Sequence, residues 1–158
     1  MKISITLNIN SQDYPVEVEP RRTLVDAIRE ECGQTGTHTG CEHGVCGACT
    51  VLLDGEPVRS CLMFAVQAAG QRIRTVEGLA EGEKLHPLQR AFIEHHGLQC
   101  GYCTPGFLML AAGTLERDPG ISDAALLEAL SSNLCRCTGY VNIVKAVRAA
   151  ADEMRGRK

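Results

Sequence analysis

Gly40-Cys41-Glu42-His43-Gly44-Val45-Cys46-Gly47-Ala48-Cys49-Thr50 holds three of the chain's nine cysteines in a C-x4-C-x2-C run, and Cys61 follows about one hairpin later. That run with a distant fourth cysteine is the plant-type spacing for a 2Fe–2S cluster. Such a loop must wrap the metal group, so its backbone has to turn tightly and come close to sulfur. Gly40, Gly44 and Gly47 lack the Cβ that would block left-handed turns or close approach. N–H groups along the loop are then free to point at the sulfurs, which tunes a cluster's potential.

Four more cysteines form a second group, Cys100-x2-Cys103 and Cys135-x-Cys137. Residues two apart in a helix point to nearly opposite sides. Cys135-Arg136-Cys137 is therefore expected as a non-helical corner. Thr104-Pro105 reads as an N-cap followed by a proline at the first helical position. That arrangement aims a helix N-terminus, with its free N–H groups, at the anionic site.

Other uses of cysteine fit the first group poorly. A structural zinc ribbon expects its second C-x2-C pair about 15–20 residues away, and here that pair lies much further off. Disulfides need an oxidising compartment. Rieske ligation needs two histidines, and His43 is a single candidate, read as a solvated loop residue. Spacing alone leaves zinc open for the second group. Cys32, outside both groups, reads as a small buried hydrophobe. His95 and His96 are adjacent on a helical stretch, point apart, and read as surface residues.

Three stretches in order carry a resemblance: Gly40 to Thr50, then Gln99-Cys100-Gly101-Tyr102-Cys103-Thr104-Pro105-Gly106, then Asn133-Leu134-Cys135-Arg136-Cys137-Thr138-Gly139-Tyr140. The chain resembles, from about Ile3 to about Ala150, the small iron–sulfur subunit of the molybdenum hydroxylases, the xanthine oxidase family that includes carbon monoxide and N-heterocycle dehydrogenases. The resemblance implies two 2Fe–2S clusters, held by Cys41, Cys46, Cys49 and Cys61 and by Cys100, Cys103, Cys135 and Cys137. It implies that Gln99 and Cys137 contact the pterin of a molybdopterin cofactor, in its cytosine dinucleotide form, on a large partner subunit. FAD is expected on a medium partner subunit, in an (αβγ)2 assembly. Substrate selection then lies in the large subunit, and this chain relays electrons. A free-standing two-cluster ferredoxin and a zinc-stapled interaction module are the competing readings.

Composition agrees with a soluble, cytoplasmic protein. Net charge is −3, so no basic footprint for nucleic acid exists. The amino terminus alternates like a strand without the apolar block of a signal peptide, and no apolar run approaches membrane-spanning length. Aromatic residues make up only 4% and Trp is absent, as suits two small domains built around inorganic centres.

The expected fold class is α+β: a β-grasp, plant-type ferredoxin domain over residues 1–78, then a four-helix bundle domain over 84–158. Ile3 to Ile9 and Tyr14 to Val18 read as a hairpin, and Thr23 as the cap of a short helix. Thr50 to Leu53 and Pro57 to Ser60 pair across Asp54-Gly55. A helix from Leu62 to Ala69, a strand around Arg72 to Val76 and a linker from Glu77 to Leu85 follow. Helices are expected at Pro87 to His96, Pro105 to Glu116, Asp123 to Leu130 (capped by Ser122) and Val141 to Met154. The charged tail from Asp152 to Lys158 reads as frayed.

Overall fold

Alternating Ile3, Ile5, Leu7 and Ile9 form strand β1 (Ile3–Ile9) in the computed structural model, which describes residues 1–156. Asn10 and Ser11, at φ 52° and 66°, make a two-residue turn into β2 (Gln12–Val18). Positive φ at both central positions gives the twist that a tight hairpin needs. Strands β3 (Thr50–Leu53), β4 (Glu56–Arg59) and β5 (Arg72–Arg74) complete a mixed sheet in the order β2-β1-β5-β3-β4, with β1 and β5 parallel and the other pairs antiparallel.

Thr23 caps the short helix α1 (Leu24–Asp26), its hydroxyl accepting from the Asp26 N–H at 3.3 Å, and the chain widens into a π-type turn over Ala27–Glu31. Leu24, Ala27 and Ile28 are fully buried against the sheet residues Leu7, Ile9 and Val51. Cys32 joins this apolar group, 7% exposed, as expected. Burial pushes its thiol up to about 11.

The helix expected over Leu62 to Ala69 is instead two short 3₁₀ turns, Ser60–Leu62 and Ala65–Ala68. Between them Met63 and Phe64 are extended, because they pair with the chain before α1: Leu24 N–H donates to Met63 O at 2.8 Å and Ala65 N–H to Arg22 O at 2.8 Å. A long-range pairing overrides local helix preference there. Strand β5 likewise ends at Arg74, and Val76–Gly78 forms a 3₁₀ turn within the expected strand end and linker.

Four helices follow: α2 (Pro87–Glu94), α3 (Thr104–Arg117), α4 (Asp123–Leu130) and α5 (Val141–Met154). Ser122 caps α4 as expected, accepting from Ala125 N–H at 3.2 Å. Thr104 is not a cap. The chain already has helical backbone at Cys103, so Thr104 N–H closes a turn on Gly101 O at 3.2 Å and its hydroxyl is buried without a partner. The tail is helical to Met154, and Arg155 donates to Ile121 O at 2.7 Å and also to Pro119 O. The rest of that frayed-tail expectation, residues 157–158, lies outside the described residues.

Helix α3 is buried continuously from Gly106 to Leu115, the mark of a helix enclosed on all sides. One side meets the other helices. The opposite side lies on the β3–β4 hairpin, where Leu52 joins the helical core, and at the end of β5 Arg74 pairs with Glu116 at 2.8 Å. Gly113 makes the approach possible: a Cβ there would stand 2.6 Å from Leu52 Cδ2 and 2.7 Å from Pro57 Cγ.

Gly113→Val should therefore lower the urea midpoint of unfolding, by about 1–3 kcal/mol in stability, the usual cost of overpacking a filled site. Gly120→Ala, with nothing nearer than 3.5 Å, should not. An unchanged midpoint for Gly113→Val would move the sheet–helix contact elsewhere.

Candidate metal centres

The first cysteine loop joins the end of the α1 turn to β3. Its turns depend on left-handed backbone at Glu42 (φ 59°), Gly44 (83°) and Gly47 (76°). Gly40 has ordinary backbone, but a Cβ on it would come within 2.9 Å of Cys46 Sγ. Glycine thus supplies shape at Gly44 and Gly47 and room at all three positions, a Cβ at Gly44 meeting Leu62 Cδ1 at 2.4 Å. Glu42 in the same region, a non-glycine, is invisible to a spacing argument.

With the loop so folded, its N–H groups turn to sulfur. Cys46 N–H donates to Cys41 Sγ at 3.3 Å and Ala48 N–H to Cys46 Sγ at 3.4 Å. The Cys46 and His43 amides hold Cys41 down at about 6. Cys49 and Cys61 pack with Val25 on the dry side, 2% and 8% exposed. Burial, then the neighbouring Cys49 sulfur, pushes Cys61 up to about 11. His43 is exposed, its Nδ1 2.5 Å from Cys41 O, as a solvated loop residue should be.

The second group gathers from two places. Cys100 and Cys103 precede α3, Cys103 being its N-cap residue, and Cys135 and Cys137 lie in the non-helical corner before α5. Cys137 Sγ and Cys100 Sγ are 3.5 Å apart and both exposed. Contact with Cys100 raises Cys137. Burial, then Cys135, pushes Cys103 up to about 12, whereas burial of Cys135 is outweighed by the Thr138 hydroxyl, 3.1 Å from its sulfur, and by nearby amides, so Cys135 lies below its ordinary value. Tyr102 N–H adds a contact to Cys100 Sγ at 3.5 Å.

Thr138 and Tyr140 shape this corner in ways that their positions in the sequence do not reveal. Thr138 Oγ1 accepts from Tyr140 N–H at 3.1 Å, Tyr140 has φ 70°, and its hydroxyl accepts from Cys135 N–H at 3.1 Å. Gln99 is exposed beside Cys100, on the face that also carries Cys137. His95 is half-buried and His96 exposed.

All nine cysteines are free thiols. Among the described residues no three His, Cys, Asp or Glu side chains converge on a point suited to one metal ion. The features present suit a larger anionic group: amide and hydroxyl donors on sulfur, turns that bring backbone close, and buried thiols that raise one another. Such thiols give up their protons to a coordinated cation. A separate cavity of about 570 Å³ near β5 has no cysteine in its lining, and its Arg72 and Arg74 already pair with Asp54 and Glu116.

The two loops touch. Leu134 N–H donates to Cys46 O at 2.9 Å, and Asn133 Nδ2 to Gly47 O at 3.4 Å. Arg59 spans from Thr50 Oγ1 (2.7 Å) to Ser132 O (2.9 Å). Tyr102 stacks on His38 with ring centroids 4.6 Å apart, and its hydroxyl donates to Thr39 O at 2.5 Å.

Residues 7–80 match the family of the 2Fe-2S iron-sulfur cluster binding domain, and residues 75–148 that of the 2Fe-2S binding domain. The chain is 55% identical to the caffeine dehydrogenase subunit gamma of Pseudomonas sp. (strain CBB1) over 150 residues, 93% of this chain and 90% of that one. It is 52% identical to the nicotine 6-hydroxylase small subunit of Paenarthrobacter nicotinovorans over 153 residues, 97% and 92% of the two. The crystal structure of quinoline 2-oxidoreductase from Pseudomonas putida 86 matches with TM-score 0.91 and 51% identity, covering 99% of both chains. This chain belongs to the family of small 2Fe–2S iron–sulfur subunits of the molybdenum hydroxylases, non-catalytic electron-transferring subunits of oxidoreductase complexes.

Proposed function

We propose that this chain is the electron relay of a cytoplasmic molybdenum-dependent hydroxylase or dehydrogenase, holding one 2Fe–2S cluster in each of its two halves. On this reading residues 1–78 are a β-grasp ferredoxin domain and residues 84–158 a four-helix cluster-binding domain. Cys41, Cys46, Cys49 and Cys61 ligate one cluster, and Cys100, Cys103, Cys135 and Cys137 the other. When bound, the two clusters supply one-electron carriage between a molybdopterin cytosine dinucleotide site on a large partner subunit and FAD on a medium one.

The observation that carries the reading is the pair of cysteine quartets, each with amide or hydroxyl donors on its sulfurs, in two loops hydrogen-bonded to each other. Donors on sulfur stabilise the added negative charge of a reduced cluster and so raise its potential. Gln99 and Cys137 lie on the exposed side of the second quartet, where they contact the pterin. Half-buried Cys103 and buried Cys135 lie on the drier side. The whole assembles as (αβγ)2.

Anaerobically purified complex should contain about four irons and four acid-labile sulfides in this subunit, two of each per cluster. Zinc in their place, with no visible absorption, would overturn the reading.

Cys49→Ser should remove or alter one of two distinct paramagnetic signals on reduction and leave the other; two unaltered signals would take Cys49 out of the ligand set. Gln99→Ala should keep both clusters and slow their reduction by substrate at least several-fold. Unchanged reduction kinetics would remove Gln99 from the electron-entry site.

A further inference from the structure

Asn133 lies two residues before Cys135, in the loop of the second centre, yet its side chain belongs to the first. The residue is 1% exposed. Nδ2 donates to Gly47 O, between Cys46 and Cys49, at 3.4 Å. Its Oδ1 is buried with no hydrogen-bond partner. A Cβ on Gly47 would stand 2.0 Å from that oxygen, so the amide lies flat against the backbone of Gly47. A buried polar atom left without a partner is costly, which requires a reason for the amide to be there.

Gly47 is the node of the first loop. Its carbonyl also accepts from Thr50 N–H at 3.2 Å and Thr50 Oγ1 at 2.7 Å. A Cβ on Gly106, in the first turn of α3, would stand 2.3 Å from the same oxygen. That oxygen belongs to the Gly47–Ala48 peptide, whose N–H donates to Cys46 Sγ, while the Cys46 N–H that donates to Cys41 Sγ lies one residue before Gly47. Whatever fixes the Gly47 carbonyl therefore fixes the aim of the Ala48 N–H. Thr50 does so from within the loop. Asn133 does so from outside it.

We propose that Asn133 is a positioning residue for the first metal centre, holding the Gly47–Ala48 peptide so that its N–H stays aimed at Cys46 Sγ. This rests on the reading of the Cys41 group as a 2Fe–2S centre. The Asn133 backbone runs on to Leu134, whose N–H bonds Cys46 O at 2.9 Å, so the loop of the second centre sets the donor geometry of the first. Without the Asn133 amide the turn relaxes and the Ala48 N–H···Sγ contact lengthens. Charge added on reduction is then less stabilised, and the first centre becomes harder to reduce.

The test is a reductive titration of the intact multi-subunit complex, followed by electron paramagnetic resonance. The first centre's signal is the one that Cys49→Ser removes. Asn133→Ala should leave iron content and both signals in place, with the reduction equilibrium of the first centre lowered about tenfold, about 59 mV for one electron. Asn133→Ser, too short to reach Gly47 O, should act alike and decides the matter if the alanine variant fails to assemble. Ser131→Ala, whose hydroxyl donates only to Glu128 O within the same segment, should shift neither centre. A fully loaded Asn133 variant whose first centre titrates like wild type, or whose second centre alone moves, overturns the proposal. Wild-type complex lacking two iron-dependent signals overturns the underlying cluster assignment instead.

Discussion

Turning peptide N–H groups inward to sulfur turns their carbonyls outward, and those carbonyls then need donors of their own. In the first cysteine loop the donors come largely from the other half of the chain. Cys46 O takes the Leu134 N–H, and Gly47 O takes the Asn133 amide besides Thr50. A loop that solved this with water would be open to solvent on its outer side. Here the second cysteine loop covers it, so satisfying one centre's backbone fixes the position of the other centre.

The same economy of space runs through the sheet–helix contact. Gly47, Gly106 and Gly113 each occupy a place where a Cβ would strike the opposing element within 2.6 Å. Backbone meets backbone or side chain without an intervening layer. Short helices such as α2 and α4, 8 residues each, have little stability in isolation and depend on α3. Helix α3 is buried all round only because the β3–β4 hairpin covers the face that the helices leave open. The two halves are therefore mutually supporting, although each carries its own cysteine quartet.

Local chemistry was readable where a single residue sets a single hydrogen bond. Thr23 and Ser122 cap helices, and Asp54 and Gly55, at φ 48° and 91°, make the expected tight turn. Cys100 Sγ and Cys137 Sγ lie 3.5 Å apart and Cys49 packs with Cys61, and the Cys135–Cys137 segment is the non-helical corner that its spacing demands. What escaped was long-range. Nothing near Met63 announces that it will pair with Leu24, so a good helical segment was over-read. Nothing in Thr104-Pro105 tells that Cys103 has entered helical backbone first. Asn133, Arg59 and Tyr102 act across tens of residues of sequence, and no periodicity encodes such partners.

Each group of four cysteines has a wetter half and a drier half. Cys100 and Cys137 are exposed, whereas Cys103 and Cys135 are held between helices; in the first loop Cys41 and Cys46 are half-exposed while Cys49 and Cys61 are buried with Val25. An entirely buried group would be shielded from any partner, and an entirely exposed one would lose its ligands' low-dielectric shelter. The exposed Cys100–Cys137 edge, with Gln99 beside it, offers a partner close contact with sulfur itself. The buried edge keeps the thiols in a setting where Thr138 and the helix N-terminus, rather than water, meet their charge. That polarity gives the second group an outside open to solvent, and the hydrogen-bonded seam to Cys46 and Gly47 gives it an inside.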